Sequence, residues 1–175
     1  MSSGLADTFT RRMRVFRDFP TAGIAFQDLA PLYATPGLLG QLGETMTGAF
    51  PTGFDLVLGV EARGFVIGTA VAVASGRPLL LARKAGKLPG ELHAARYALE
   101  YGTAELTIQR GDCEPGQRVL VVDDVLATGG TLAAAAELVS QAEAVVVGFG
   151  VVLELAALGG REKLAPTPLV SLITK

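Results

Sequence analysis

Residues 118–131, Arg-Val-Leu-Val-Val-Asp-Asp-Val-Leu-Ala-Thr-Gly-Gly-Thr, narrow the possible folds more than any other stretch. Val119 to Val122 form a continuous apolar run rich in β-branched residues. Such a run reads as a strand buried on both faces, the kind found in parallel sheets covered by helices. Asp123 and Asp124 follow at once, then the small-residue loop Ala127-Thr128-Gly129-Gly130-Thr131. Leu132 to Val139 then supplies strong helix formers. The order is buried strand, acidic pair, loop, helix N-terminus. In an open α/β sheet this junction, just past the carboxyl end of a strand, is where ligands bind.

The loop has the parts of an anion cradle. Gly129 and Gly130 allow a tight turn that presents several backbone N–H groups to one point. Thr128 and Thr131 add hydroxyl donors, and the helix dipole adds partial positive charge. Together they suit a phosphate monoester. Asp123 and Asp124 are anions and cannot bind that phosphate. Beside it they suit either the hydroxyls of a sugar that carries the phosphate or the water shell of a magnesium ion. A helix cap alone would need one Asp and no threonine–glycine cradle. The loop is not a Walker loop, which requires a Lys after its second Gly. Gly148-Phe149-Gly150 is not a dinucleotide fingerprint, since the third Gly is missing.

The rest of the chain supports an α/β domain. Leu5, Phe9, Met13 and Phe16 recur at helical spacing over residues 5–17, and Leu38, Leu39, Leu42, Met46 and Phe50 do so over 36–50. Residues 21–31 read as a loop punctuated by Gly and Pro. Strands are expected at 55–60, 78–82, 118–122, 144–153 and 168–173, with a hairpin over 96–101 and 104–109. Helices are expected at 65–74 and 132–139, with a short helical turn at 159–164. Strands alternating with helices predict a twisted, mostly parallel sheet flanked by helices. At 175 residues, half of them hydrophobic, the chain reads as a single domain, 1–175, with a real core.

Composition excludes several functions. A net charge of −2 with no Lys/Arg run argues against nucleic acid. No basic-then-apolar leader and no apolar run of membrane length are present, so a soluble, cytoplasmic protein is expected. The one cysteine, Cys113, rules out a disulfide framework within the chain and sits in a turn with no partner His. His93 reads as a surface loop residue.

Three further stretches carry chemistry. Gly59-Val-Glu61-Ala62-Arg63-Gly64 repeats the pattern of strand, polar residues, Gly and helix, with an Arg suited to bidentate phosphate contact. Residues 83–90 hold Arg83, Lys84 and Lys87 among Gly86, Pro89 and Gly90. That composition reads either as a solvated loop or as a mobile lid that closes over an anion. Glu100 lies between Leu99 and Tyr101, either solvated by strand alternation or held for a purpose. Phe26 is a loop aromatic suited to stacking or to the core.

The 118–131 stretch resembles the signature of the type I phosphoribosyltransferases, which use 5-phosphoribosyl-1-pyrophosphate (PRPP). Further segments are similar to the adenine-specific branch of that family over nearly the whole chain. They are Asp18-Phe19-Pro20-Thr21 with Gly23 to Phe26 and Asp28, the basic loop 83–90, Leu99 to Gly102, Glu154-Leu155 and Gly160 to Leu164. The resemblance implies transfer of the phosphoribosyl group of PRPP to adenine, giving AMP and pyrophosphate, with Mg2+ carried by PRPP rather than held directly by protein ligands. It implies that Asp123 and Asp124 hold the ribose hydroxyls, and that Ala127, Thr128, Gly129, Gly130 and Thr131 hold the 5-phosphate. Glu61, Ala62, Arg63, Arg83, Lys84 and Lys87 would serve pyrophosphate. Phe26 and Leu155 would sandwich adenine, Ala25 and Gln27 would read its edge, and Glu100 would act on the proton of the purine imidazole ring. It also implies a homodimer and a small hood built from about residues 1–35 and the C-terminal segment. The family usually has Arg where this chain has Gln27, which bears on base specificity. Two rival functions stay open at this stage. One is phosphoribosyl transfer to orotate or an oxopurine; the other is a regulator that keeps the pocket without catalysis.

Overall fold

A computed structural model describes residues 3–98 and 102–175. The first departure from the sequence pattern comes early. Helix α1 (Ser3–Arg12) buries Phe9 completely but stops before Arg14. Residues Arg14–Arg17, expected as the last helical turn, form strand β1 and pair antiparallel with β2 (Ala25–Asp28), which was expected as loop. All four residues of β1 are exposed, so no buried face selected either period. The ribbon is fixed by its turn instead. Asp18 adopts a left-handed conformation, φ 57°, and its Oδ1 accepts from the Gly23 N–H at 2.7 Å. At the open end Arg14 pairs with Asp28.

Asp28 also accepts from the Ala30 N–H at 2.9 Å, opening the short helix α2 (Ala30–Tyr33). Helix α3 (Leu38–Gly48) follows, then β3 (Leu56–Val60), α4 (Gly64–Ser75), β4 (Leu79–Lys84), β5 (Leu92–Ala98) and β6 (Thr103–Gln109). Next come β7 (Arg118–Leu126), α5 (Gly130–Gln141), β8 (Val145–Glu154), α6 (Gly160–Leu164) and β9 (Leu169–Thr174). The larger sheet has the order β5-β6-β4-β3-β7-β8-β9. Strands β4, β3, β7, β8 and β9 are parallel, and β5–β6 is an antiparallel hairpin on the β4 edge. The fold is therefore α/β with a mostly parallel sheet flanked by helices.

Strand β7 shows why both faces are covered. Its side chains alternate between two cores, as a pleated strand requires. Val119 and Val121 pack with Leu132, Ala135 and Leu138 of α5. Leu120 and Val122 pack on the other face with Leu42 and Met46 of α3 and Ile67 and Val71 of α4. Each large side chain so buried contributes roughly 1.5–3 kcal/mol relative to exposure. Gly150 of β8 lies under α3, where an added Cβ would meet Met46 Sδ at 2.7 Å. That close approach, not dinucleotide binding, accounts for a glycine there.

Two boundaries matter for the site. Strand β7 runs on through the acidic pair to Leu126, so Asp123 and Asp124 are strand residues. Strand β4 runs on to Lys84, with Arg83 opposite Thr107 and Lys84 opposite Leu106. Arg83 and Lys84, expected in a loop, are instead fixed at a strand end; only residues from Ala85 onward are outside it.

Candidate active site

The carboxyl ends of β3, β4 and β7 meet at a cleft of about 460 Å³. Glu61, Ala62 and Arg63 enter it from the β3–α4 junction, and the peptide between Glu61 and Ala62 is cis. Asp123 and Asp124 enter from β7, Ala127 and Thr131 from the loop and first turn of α5, and Lys84 from β4. Tyr97 of β5 also lines the cleft. Two separate loops that the sequence suggested for anions thus face one another across one opening.

The acidic pair is electrostatically costly where it stands. Burial raises the pKa of Asp123 well above the ordinary carboxylate value, and the neighbouring Asp124 charge adds to this. Burial also raises Asp124, against the lowering effect of the Arg63 guanidinium. Arg63 Nε lies 2.9 Å from Asp124 Oδ2. That ion pair is not aligned as a hydrogen bond, and Asp124 Oδ2 has no hydrogen-bond donor in the protein. A buried acceptor without a protein donor is open to a donor from water or a ligand.

Around the acids the cations are ordered by Glu61. Its Oε2 accepts from the Lys84 N–H at 2.8 Å and from Arg83 Nε at 3.1 Å. The Lys84 backbone bond, then the Arg83 bond, hold the Glu61 carboxyl below its usual pKa against the effect of burial. Glu61 therefore fixes the end of β4, leaving Lys84 to face the cleft. Arg83 is engaged by Glu61 and lies 5.9 Å from the Phe65 ring. Lys87 is exposed and does not line the cleft.

The anion loop is shaped by contact with the chain's last helix. Gly129 has φ 77°, a conformation that favours glycine. A Cβ there would meet the Gly160 carbonyl at 2.8 Å, and a Cβ on Gly160 would meet Gly129 N at 3.0 Å and press on the Ala127 carbonyl. The N-terminus of α6 is therefore the floor of residues 127–130. Gly160 is held in turn by Arg161, whose guanidinium donates to both oxygens of the buried Glu154 at 2.8 and 2.5 Å. Thr128 is exposed and Thr131 is half-buried at the start of α5.

The residues expected to hold the base are grouped beside the cleft rather than lining it. Phe26 of β2 lies 5.3 Å from the Arg63 guanidinium and packs edge-on against Phe19. Gln27 donates through Nε2 to the Ala25 carbonyl at 3.1 Å and accepts from Lys175 Nζ at 3.1 Å. Leu155 is half-buried after β8, its N–H bonded to the Leu126 carbonyl at 2.9 Å. Glu100 lies outside the described residues.

Comparison with known proteins decides the family. Residues 37–167 match the family model described as phosphoribosyl transferase domain. An adenine phosphoribosyltransferase of Mycobacteroides abscessus is 48% identical over 169 residues, covering 96% of this chain and 95% of that protein. The chain belongs to the adenine phosphoribosyltransferase family. A Saccharomyces cerevisiae enzyme of the family, solved with adenine and an imino-altritol bisphosphate, is 39% identical with a TM-score of 0.92; 97% of this chain and 99% of that one are covered. The enzyme of Trypanosoma brucei, solved with AMP, pyrophosphate and ribose 5-phosphate, is 26% identical with a TM-score of 0.89, covering 99% and 80%.

For an adenine phosphoribosyltransferase, the cleft adds residues that the sequence did not single out. Tyr97 gave no signal because it lies in a half-exposed hairpin strand. Arg161 and Glu154 were visible only as members of a C-terminal segment; their pairing joins α6 to β8 across a turn. Magnesium fits the donor set. Two adjacent carboxylates, one with a buried unpartnered oxygen, suit hydroxyl or water donors, and magnesium keeps several waters and takes substrate phosphate oxygens.

Proposed function

We propose that this chain catalyses transfer of the 5-phosphoribosyl group of PRPP to adenine, giving AMP and pyrophosphate. The observation that carries the reading is the single cleft in which an acidic pair and a glycine–threonine cradle at the end of β7 face Arg63 and Lys84. One end suits a ribose 5-phosphate and the other a pyrophosphate. Residues 127–131 hold the 5-phosphate through backbone N–H groups and threonine hydroxyls. Asp123 and Asp124 hold the ribose hydroxyls. Arg63 and Lys84, with the backbone at Glu61 and Ala62, hold the pyrophosphate, and Arg83 keeps Glu61 in place. Lys87 acts only if residues 85–90 close over the cleft.

Adenine stacks on Phe26 with Leu155 on its other face, and the backbone at Ala25 and Gln27 reads its edge. The hood comprises about residues 1–35 and the C-terminal segment; the bond from Lys175 to Gln27 ties these two parts together. Adenine N9 displaces pyrophosphate at C1 of the ribose. Because charge develops on the sugar and the leaving group, catalysis is chiefly positioning and charge stabilisation. Glu100 accepts or positions the imidazole proton. Asp123 and Asp124 would reach a magnesium ion carried by PRPP through its water shell, and the ion would supply charge neutralisation to the leaving group. The protein works as a cytoplasmic homodimer, without nucleic acid or membrane; no described helix is long and apolar enough to cross a membrane.

The deciding experiment is competition among adenine, hypoxanthine, guanine, xanthine and orotate for labelled PRPP. Adenine should dominate product formation. Preference for an oxopurine or orotate would replace the base assignment, and no turnover with any base would favour a non-catalytic regulator.

A further inference from the structure

The hydroxyl of Tyr33 is buried and has no hydrogen-bond partner in the protein. Among the described residues only Thr47 Oγ1 and Asp124 Oδ2 share that condition. A buried hydroxyl without a partner is destabilising, so its retention calls for an explanation. Two of the three unpartnered atoms belong to residues on the same side of the sheet. Tyr33 ends α2 and packs on the core that Leu120 and Val122 of β7 share with α3 and α4. By strand alternation Asp124 projects from the same face of β7 as Leu120 and Val122. The charges that act on the phenol are Asp124 first, then Arg63, Asp123 and Asp28. Burial and these acids raise the phenol's pKa far above the ordinary value, so Tyr33 stays a donor.

The counter-charge of Asp124 is Arg63. Arg63 cannot serve Asp124 and a pyrophosphate with the same guanidinium edge. When the Nε edge turns to the pyrophosphate, Asp124 loses that contact while it must remain an ionised acceptor for the ribose. We propose that Tyr33 is a positioning residue for Asp124, its hydroxyl becoming the carboxylate's donor once PRPP draws Arg63 away. The inference rests on the ribose role of Asp124 given above. It gives the buried acceptor and the buried donor a partner in one another.

The test is calorimetric titration of PRPP with magnesium into the wild-type protein, Tyr33→Phe, Asp124→Asn and the double variant, with thermal melting of each and the Michaelis constant for adenine. Phe keeps the shape of the ring and removes only the unpartnered oxygen, so Tyr33→Phe should melt at the same temperature or higher. PRPP affinity should nevertheless fall between about tenfold and 150-fold, the range for a hydrogen bond to a charged group. The Michaelis constant for adenine should stay within about twofold, as no adenine contact is lost. The double variant should bind PRPP no more weakly than Asp124→Asn alone, because the hydroxyl acts through that carboxylate. Unchanged affinity in Tyr33→Phe, or an effect that adds fully to that of Asp124→Asn, would overturn the proposal. Unchanged affinity in Asp124→Asn would instead overturn the ribose assignment beneath it, and the positioning role would fall with it.

Discussion

Arg63 Nε lies 2.9 Å from Asp124 Oδ2, and the same guanidinium stands 5.3 Å from the centre of the Phe26 ring. One side chain thus links the acidic floor of the cleft to the aromatic proposed to carry the base. Lys could keep the charge but not the planar fork that matches phosphate oxygens, nor the same approach to an aromatic face. Arg63→Lys should therefore lower kcat/KM for PRPP by about 10- to 100-fold, the loss of one charged bidentate contact. Steady-state kinetics with PRPP varied at saturating adenine would check this. A change of less than about twofold would take Arg63 out of the pyrophosphate site.

Gly160 and Gly40 give a paired test of the floor beneath the anion loop. A Cβ at Gly160 would meet Gly129 N at 3.0 Å and Leu126 Cδ1 at 2.7 Å, and the first of these is loop backbone. Gly160→Ala should push residues 127–129 out of shape and weaken both PRPP and AMP by about tenfold or more, a cost of 1.4 kcal/mol or above. Gly40, exposed within α3, has nothing within 4 Å of its added Cβ. Gly40→Ala should stabilise the protein by about 0.5–1 kcal/mol and leave turnover unchanged. Equal affinities for AMP in wild type and Gly160→Ala, read by calorimetry, would show that α6 does not support the loop.

Much of this was legible in the chain. The stretch from Val119 to Thr131 gave the strand, the acidic pair and the cradle in order, because a doubly buried strand and a glycine turn leave strong local signals. The β1–β2 ribbon was not legible. Met13 and Phe16 continue the helical spacing of α1, and the exposed residues Arg14 to Arg17 carry no alternation that would mark a strand. Arg83 and Lys84 were expected in a loop because charges next to Gly86 read as solvated. Their strand pairing is set by Thr107 and Leu106, more than twenty residues away. Tyr33 and Tyr97 gave no signal at all, since what distinguishes them is their neighbours in space.

The departure at Gln27 can be weighed against its contacts. Its Nε2 donates to the Ala25 carbonyl, and Lys175 Nζ donates to its Oε1. The side chain is thus engaged with the chain itself, which fits the proposal that backbone groups read the base. Gln27→Arg would place a second cation opposite Lys175, which is exposed, so the repulsion is partly screened. The Michaelis constant for adenine should change by less than about tenfold, under about 1.4 kcal/mol. Initial rates with adenine varied would read this, and a larger shift would assign base recognition to the side chain.

The pair of Glu154 and Arg161 predicts an unusual pH dependence. The Glu154 side chain is 5% exposed and that of Arg161 46%. Hydrogen bonds from Arg161, then that from Ser171, hold the Glu154 carboxyl below its usual pKa, while burial acts the other way. A carboxyl lowered in the folded state contributes stability that is fully present above its unfolded pKa, about 4.3, and is lost as pH falls through the folded value. Arg161→Met removes the hydrogen bonds from Arg161 and leaves only that from Ser171 against burial, so the folded carboxyl of the variant should titrate higher than that of wild type. The variant should then be weaker than wild type by about 2–4 kcal/mol at pH 7, less than for a fully buried pair because Arg161 is half exposed. As pH falls toward 4, wild type loses the contribution of the pair while the variant is relieved by protonating Glu154. The gap between them should therefore narrow, and other carboxylates, common to both proteins, cancel in the difference. Urea unfolding of both proteins at pH 7, 5.5 and 4 measures the gap directly. A gap that stays constant across that range would show that Arg161 supports α6 by packing alone.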